Sequence, residues 1–274
     1  MFKEQNVRSD MKEMAIPSLD AVRRFKEQLN TDGGVFGPFM IGTDPAFVES
    51  AGYAGYDFVL LDMEHGTTTF ETLPHLIRAA NVAGVMPVVR VPRGSDIWID
   101  QALDVGAGGV MIPQIDTAEQ ARAAVAAAKF APLGNRGTCR FVRSACFGGV
   151  PGAEYFRRAQ ETVVIVQAEG RKAVENLDEI LDVEGIDIVF VGPYDLSSSL
   201  GIIGQIDHPL VMECIRDICE RAAAKGVKVG CFADNVQSAK RLRSMGVRFL
   251  GYSCDTAIFQ NAARADVMEY TNEI

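Results

Sequence analysis

Short apolar segments alternate with longer amphipathic segments along most of the chain. Eight segments rich in β-branched and aromatic residues predict strands, and they cover residues 36–41, 58–62, 86–91, 109–113, 163–168, 188–192, 227–232 and 249–254. Between them, helical spacing of apolar residues predicts helices at residues 44–54, 70–83, 118–129, 173–181, 208–225 and 236–245. Strands that alternate with helices in this way are typical of a parallel sheet.

The number of strand–helix units favours one α/β fold. Eight units in a chain of 274 residues predict a TIM (β/α)8 barrel, which usually has about 250 residues. A doubly wound sheet is disfavoured, because neither a GxGxxG nor a Walker A phosphate loop follows the first predicted strand. We therefore expect one barrel domain over residues 1–274.

Two segments depart from the regular alternation. Residues 1–33 form an N-terminal extension, in which an amphipathic helix from Pro17 is predicted to close the barrel floor or contact a partner; its apolar residues are Leu19, Val22, Phe25 and Leu29. Residues 131–160 are rich in glycine and arginine and predict a long loop, and long loops at the mouth of such a barrel are often functional.

Composition excludes several classes of partner. The chain has 27 Lys and Arg against 36 Asp and Glu, a net charge of −9, which disfavours binding to nucleic acid or to anionic membranes. Its six cysteines contain no CxxC pair, and no apolar run reaches the length that spans a bilayer. These features predict a soluble, cytoplasmic protein with no nucleic-acid or membrane partner.

Candidate chemistry follows from where ionisable residues meet predicted strand ends, because barrel active sites lie at the carboxyl ends of the strands. Glu169 and Asp195 would supply hard oxygen ligands of the kind that Mg²⁺ or Mn²⁺ prefers. Alternatively, these two acids cap the following helices or pair with arginines.

A histidine and an arginine complete this set. His65 suits a general base, with Asp62 or Asp104 as the group that could orient its ring, although a strand-end histidine can also be purely structural. Arg90 follows apolar residues in a predicted strand, where a charge is costly unless a partner is bound. It therefore predicts an anionic or oxyanionic ligand, or a structural ion pair with a nearby carboxylate.

Six motifs, in this order across roughly residues 33–256, resemble the HpcH/HpaI aldolase family. They are DFVLLDMEHG at 57–66, PVVRVP at 87–92, ALDVGA at 102–107, PLGNRG at 132–137, VQAE at 166–169 and GPYDLS at 192–197. Members of that family are metal-dependent (class II) pyruvate aldolases on a TIM barrel. Two positions depart from the family pattern: the segment TCRFVR that follows Arg136 and Gly137, and Gly170. The resemblance therefore does not identify which aldehyde the protein uses.

The resemblance also implies roles for individual residues. It makes Glu169 and Asp195 the ligands of Mg²⁺, Mn²⁺ or Co²⁺, and His65 the base acting with an aspartate. The remaining implied roles are oxyanion stabilisation by Arg90 and substrate binding by Gln167, Gly192 and the backbone around Tyr194. By the same resemblance, Asp104 reaches the site of a neighbouring subunit in a homo-oligomer, a hexamer built as a trimer of dimers, with exchanged C-terminal helices at residues 255–274.

Together these features predict a carbon–carbon lyase. It would form or cleave a bond between pyruvate, or a similar 2-oxo acid, and an aldehyde through a metal-stabilised enolate. A related lyase or synthase that uses oxaloacetate or an acyl-CoA thioester, of the citrate- or malyl-CoA-type, is the first alternative. A non-catalytic metabolite-binding barrel is the second, and the complete set of His65, Arg90, Glu169 and Asp195 argues against it.

Overall fold

The computed structural model describes residues 17–93 and 96–272. Eight parallel strands pair in sequence order, and β8 pairs with β1, so the barrel is closed. The strands are β1 (Val35–Met40), β2 (Phe58–Asp62), β3 (Met86–Arg90), β4 (Gly109–Ile112), β5 (Val163–Gln167), β6 (Ile188–Val191), β7 (Lys228–Ala233) and β8 (Phe249–Cys254). The predicted TIM-type barrel is therefore confirmed, with every strand end within one residue of the one expected.

Helices surround the barrel and return the chain to its amino end. They are α1 (Pro17–Leu29), α2 (Pro45–Tyr53), α3 (Leu73–Ala83), α4 (Asp96–Asp104), α5 (Ala118–Ala128), α6 (Gly152–Ala159), α7 (Arg171–Glu175), α8 (Leu177–Leu181), α9 (Pro193–Ser199), α10 (Pro209–Ala224), α11 (Val236–Ser244) and α12 (Asp255–Asn272). The first 16 residues of the predicted extension and the last two of the predicted C-terminal helix lie outside the described residues.

Apolar side chains fill two layers, one inside the barrel and one between the strands and the helices. In β2, all five residues are buried, with Phe58 and Leu60 in the inner layer and Val59 and Leu61 in the outer. Parallel strands covered on both faces need apolar residues at successive positions. This is why the strands appear in the sequence as continuous apolar runs.

Helix α1 closes the amino end of the barrel. This is the first of the two roles predicted for it, closing the barrel floor or contacting a partner. Val22 and Phe25 are buried with the inner-layer residues. The Phe25 ring lies 6.1 Å from the rings of both Phe58 and Phe249, in edge-on contacts, and those two rings stack at 4.2 Å. The apolar face of α1 therefore forms the barrel floor.

The segment at residues 131–160 differs from the expectation in structure and in place. It contains a 3-10 turn (Arg143–Gly148) and α6, so it is not a loop throughout. It also connects α5 to β5, which places it at the floor of its own barrel, because helices return the chain to the amino ends of parallel strands. Lys129 anchors it there, donating from Nζ to the carbonyl oxygens of Gln160 (2.8 Å) and Thr162 (2.5 Å).

Among the helices of the described residues, none combines the length and apolar character needed to cross a membrane.

Replacing Phe25 by alanine should strongly destabilise the barrel. The ring is 2% exposed, and removing a buried phenylalanine typically costs about 3–5 kcal/mol. Urea unfolding should show this loss as a lower transition midpoint. The matched change Ile203→Ala, at a side chain that is 77% exposed, should shift the free energy of unfolding by less than about 0.5 kcal/mol. Equal effects of the two changes would contradict the role assigned to α1.

Candidate active site

A cavity of about 310 Å³ lies at the carboxyl ends of the strands. Most of the predicted site residues line it, namely Asp62, His65, Arg90, Gln167, Glu169, Gly192, Tyr194 and Asp195. They come from the ends of β2, β3, β5 and β6 or from the residues that follow. The barrel therefore brings together side chains that are up to 133 positions apart in the printed sequence.

A buried ion pair joins the ends of β2 and β3. Asp62 and Arg90 are register partners in the parallel ladder, so their side chains meet directly. Arg90 donates from Nε to Oδ1 of Asp62 (2.9 Å) and from Nη2 to Oδ2 (2.5 Å), and the guanidinium lies 5.1 Å from the centre of the Phe39 ring. This bidentate geometry offsets the cost of burying both charges. A guanidinium has five N–H donors, so donors remain for a ligand in the cavity.

The loop after β2 carries His65 to the cavity mouth. Oδ1 of Asp62 accepts hydrogen bonds from the backbone N–H groups of Glu64 (3.0 Å) and His65 (3.2 Å). The His65 side chain is 69% exposed, and its Nε2 lies 3.9 Å from Oε2 of Glu64. Glu64 in turn lies 3.3 Å from Nη1 of Arg90. Asp62 thus holds the backbone of this loop and Arg90, and the carboxylate beside the histidine ring belongs to Glu64.

Glu64 had no role in the sequence interpretation, although it directly precedes His65. Burial raises the pKa of its carboxyl group, against the opposing effect of Arg90. Adjacency in the sequence was the available signal, but the reach of a glutamate side chain toward two neighbours became visible only in the folded loop.

Glu169 and Asp195 border the same small space beside Gly192. A Cβ atom at Gly192 would lie 2.7 Å from Oε2 of Glu169 and 3.5 Å from Oδ2 of Asp195, so a side chain there would fill the gap between the two carboxylates. Glu169 also accepts hydrogen bonds from the Gln114 backbone N–H (3.2 Å) and from Nε2 of Gln167 (2.8 Å). These contacts hold both oxygens of the Glu169 carboxylate, Oε1 through Gln114 and Oε2 through Gln167.

The electrostatics of this space favour a cation. Burial, followed by the negative charges of Asp195 and Glu64, raises the pKa of Glu169 to about 7. The side-chain oxygen of Gln167 is buried and has no hydrogen-bond partner, which leaves an acceptor for a ligand. In the described part of the chain, no three His, Cys, Asp or Glu side chains gather as a metal site. Two carboxylates alone suit a hard divalent ion, because Mg²⁺ and similar ions retain several water or substrate oxygens.

Asp104 lies away from this cavity. It ends α4 at the floor side of the barrel, and it accepts a hydrogen bond from Nη2 of the buried Arg136 (2.8 Å). Arg136 also pairs with Asp100 (3.2 Å) and stacks on the Phe130 ring at 4.7 Å. Within one chain, therefore, Asp104 cannot orient His65.

One wall of the cavity is apolar, and the sequence interpretation missed it. Its members come from β1, β6, β7 and β8 and their ends, and they are Phe39, Ile41, Phe190, Phe232 and Cys254. The sequence signal for these residues would be the alternation of side chains that point into and out of the barrel along each strand. That alternation cannot be seen in the sequence when both faces of a strand are apolar.

Tyr194 stands at the rim of the cavity. Its hydroxyl donates to the carboxylate of Asp234, with oxygen distances of 3.1 and 3.0 Å. Burial and then Asp234 raise the pKa of Tyr194 to about 12. The phenol therefore stays protonated near neutral pH and serves as a hydrogen-bond donor.

Sequence comparison shows that this chain is similar to known proteins. A profile of the HpcH/HpaI aldolase/citrate lyase family matches residues 36–262. The 2-keto-3-deoxy-L-rhamnonate aldolase of Salmonella gallinarum is 39% identical over 240 residues, 87% of this chain and 89% of the relative.

Solved structures of the same family and of a citrate synthase superpose closely on this barrel. A HpcH/HpaI aldolase/citrate lyase family protein from Burkholderia cenocepacia J2315 superposes with a TM-score of 0.85 and 32% identity, covering 91% of this chain and 99% of the other. The citrate synthase SbnG superposes with a TM-score of 0.81 and 30% identity, covering 90% and 97%.

If Glu169 and Asp195 bind a divalent ion, the affinity of the site for that ion should fall steeply below pH 7. Because the pKa of Glu169 is about 7 in the metal-free protein, a proton competes with the ion at lower pH. Titration with Mn²⁺ should show a loss of affinity of roughly tenfold per pH unit below about 7. Asp234→Asn, which alters a carboxylate bonded to Tyr194 at the rim, should keep this dependence. An affinity independent of pH between 5 and 7 would contradict it.

Proposed function

The chain belongs to the HpcH/HpaI aldolase/citrate lyase family, and from this membership we propose that it is a class II aldolase that joins pyruvate, or a similar 2-oxo acid, to an aldehyde and catalyses the reverse cleavage. It is a carbon–carbon lyase, as its aldolase relatives are. The observation that carries the finer proposal is the cavity in which Arg90, Gln167 and the Glu169–Asp195 pair converge.

Glu169 and Asp195 would hold the divalent ion, Mg²⁺, Mn²⁺ or Co²⁺. When bound, such an ion acts as a Lewis acid toward the oxygens of a 2-oxo acid. The Gln114 N–H and the Gln167 amide hold the Glu169 carboxylate in place. No described residue that lines the cavity is a lysine, so a Schiff-base route has no nucleophile there.

Residues on the polar side of the cavity would bind the 2-oxo acid and stabilise the negative charge that develops on its oxygen. Gln167 has a side-chain oxygen without a hydrogen-bond partner, and Gly192 and the backbone around Tyr194, which line the cavity, would bind the carboxylate of the acid. Arg90, fixed by Asp62, directs its remaining N–H donors at the oxygen that becomes negative when the methyl group loses a proton. A preorganised cation at that oxygen lowers the barrier because it needs no rearrangement during the reaction.

His65 would move the proton. Its exposed ring at the mouth, beside Glu64, can reach the methyl group or the hydroxyl group of the aldol product directly or through a water molecule. The enolate of the acid then attacks the aldehyde carbonyl, and the product oxygen takes up the proton. Asp62 contributes by holding the loop that carries the histidine.

The similarity to a citrate synthase favours a second candidate reaction, in which oxaloacetate is the acceptor. Oxaloacetate carries an additional carboxylate, which would have to enter a cavity already rich in acids. Because citrate is oxaloacetate extended by an acetyl unit, this reaction needs an acyl-CoA thioester as the carbon nucleophile in place of pyruvate. The two candidates therefore differ in both nucleophile and acceptor, so assays of pyruvate with aldehydes and of an acyl-CoA thioester with oxaloacetate separate them.

We further propose that the protein is a homo-oligomer, a hexamer built as a trimer of dimers with exchanged α12 helices. Helix α12 carries exposed apolar side chains, with Phe259 62%, Val267 61%, Met268 57% and Tyr270 70% exposed. An apolar surface of this kind on one helix is typical of a protein interface. In such an assembly Asp104 could reach the cavity of a neighbouring subunit.

Proton exchange at the methyl group of pyruvate tests the proposed chemistry. In deuterated water with Mn²⁺, NMR should show exchange by the wild-type protein. EDTA and Glu169→Ala should each abolish it, because both remove the ion, and His65→Ala should slow it about 10²–10⁴-fold, the usual contribution of a general base. Asp234→Asn is the matched control and should retain exchange. No exchange with any divalent ion would refute pyruvate as the carbon nucleophile.

Charges on α12 should break the assembly. The double change Val267→Glu and Met268→Glu buries two carboxylates in the proposed interface, which is costly. Sedimentation should show a smaller particle than the wild type, whereas Ile203→Glu, at another exposed apolar position, should leave the mass unchanged. A wild-type protein that sediments as a monomer would overturn the proposed oligomer.

A further inference from the structure

A buried carboxylate connects the last strand to the first loop of the barrel. Asp255, which begins α12 directly after β8, is 8% exposed. Its Oδ1 accepts from the backbone N–H of Ile41 (3.1 Å), and its Oδ2 accepts from that of Gly42 (3.0 Å). Oδ1 also accepts from the N–H of Thr256 (2.8 Å). Asp255 thus fixes the end of β1 to the start of α12.

The same loop holds the segment that carries His65. The carbonyl oxygen of Ile41 accepts two hydrogen bonds from Thr67, one from its backbone N–H (3.1 Å) and one from its hydroxyl (3.2 Å). Gly66 lies between His65 and Thr67, and a Cβ atom there would lie 2.3 Å from the Asp62 carbonyl oxygen and 3.2 Å from that of Ile41. The chain around His65 is therefore packed closely against β1.

His65 is thus held from both sides. On the preceding side, Oδ1 of Asp62 binds its own N–H group and that of Glu64. On the following side, Thr67 is bonded to Ile41, which is bonded to Asp255. Among the described residues, the ion-pair partner of the exposed ring is Glu64, at 3.9 Å. At that distance the contact holds the ring weakly, so the position of the ring depends on how firmly the backbone is held.

An irregularity in the barrel gives Asp255 its orientation. The pairing of β1 with β8 shifts register between Pro38 and Phe39, so that Phe39 pairs with Cys254. Ser253, immediately before, has a positive φ of 45°, which is unfavourable for a residue with a side chain. Bulges of this kind redirect side chains. Here Cys254 lines the cavity, and the following Asp255 reaches the amides of the first loop.

We propose that Asp255 is a positioning residue, which holds the general base His65 in its working geometry through Ile41 and Thr67. This inference rests on the proposed function, because it concerns the proton-moving group of that reaction. The local strain at Ser253 and the three donors on one buried carboxylate then serve the site as well as the fold. Helix α12, which Asp255 begins, is thereby connected to the loop after β2 that carries His65.

The variant Asp255→Asn tests the proposal with little change in shape. Asparagine keeps one acceptor oxygen but presents an NH₂ group where the second acceptor was, so one bond to the first loop is lost. We expect kcat for pyruvate exchange to fall on the order of tenfold to a hundredfold, the cost of a misplaced catalytic group, with KM for pyruvate and the Mn²⁺ affinity within about twofold of wild type.

A double-mutant cycle with His65→Ala separates positioning from a general structural role. If Asp255 acts through His65, adding Asp255→Asn to His65→Ala should change the residual exchange rate by less than about twofold. Full additivity, or a single variant within twofold of wild type, would overturn the proposal. If Asp255→Asn shows no cooperative thermal unfolding, Thr67→Val, which removes the hydroxyl bond at the other end of the link, decides the question in the same cycle.

Asp44→Asn is the matched control. Asp44 lies in the same loop, but its carboxylate accepts from the N–H of Ala46 (2.9 Å) at the start of α2. This variant should keep wild-type kcat, because the Asp44 carboxylate takes no part in the link to Thr67. A loss equal to that of Asp255→Asn would overturn the proposal.

Hydrogen exchange of the backbone distinguishes a failure of this inference from a failure of the proposed function. In Asp255→Asn the amide of Thr67, which is not bonded to Asp255 itself, should exchange faster than in the wild type, whatever the substrate is. A wild-type protein inactive on pyruvate would refute the proposed function, and faster Thr67 exchange would still support the link. An unchanged Thr67 exchange rate would refute it.

Discussion

Closure of eight parallel strands is the constraint on which the rest of this molecule depends. Because every strand runs in the same direction, all carboxyl ends meet at one rim, and the residues that follow β2, β3, β5 and β6 face one another across a single cavity. The amino ends meet at the floor, where α1 and the Phe25 ring seal the apolar interior. The polar chemistry and the apolar core are thereby separated along the barrel axis.

Within that frame, the Asp62–Arg90 pair organises the cavity. Register pairing places the two residues side by side, and the carboxylate serves the guanidinium and two backbone amides at once. Glu169 lies across the cavity, with its pKa raised to about 7 because burial and other carboxylates disfavour its charge. The site thus has an ion-paired region at β2 and β3, centred on Arg90, and a region at β5 and β6 whose two carboxylates have no cationic side chain between them among the described lining residues. A bound cation would stabilise the second region more than the first.

Residues near strand ends were predictable because strand ends are local features. The apolar runs that end at Asp62, Arg90 and Gln167 could be recognised from composition and period, and the barrel rule then placed these residues at one rim. The long segment at 131–160 was assigned to the wrong end of the barrel. The composition of this segment shows that it is irregular. Its location follows from the chain order, because α5 returns the chain to the floor of the barrel before the segment begins.

The sequence by itself determined the fold class, the family and the polar residues at the strand ends that line one side of the cavity, because burial patterns and short motifs are written in neighbouring positions. Only the tertiary structure decided which partner each of these carboxylates has. It paired Arg90 with Asp62, turned the Glu64 side chain toward Arg90, turned Asp104 toward Arg136 and directed Asp255 to the backbone amides of the first loop. Such choices depend on register, on a bulge and on side-chain reach across more than 200 intervening residues in the last case, and no local pattern encodes distances of that kind.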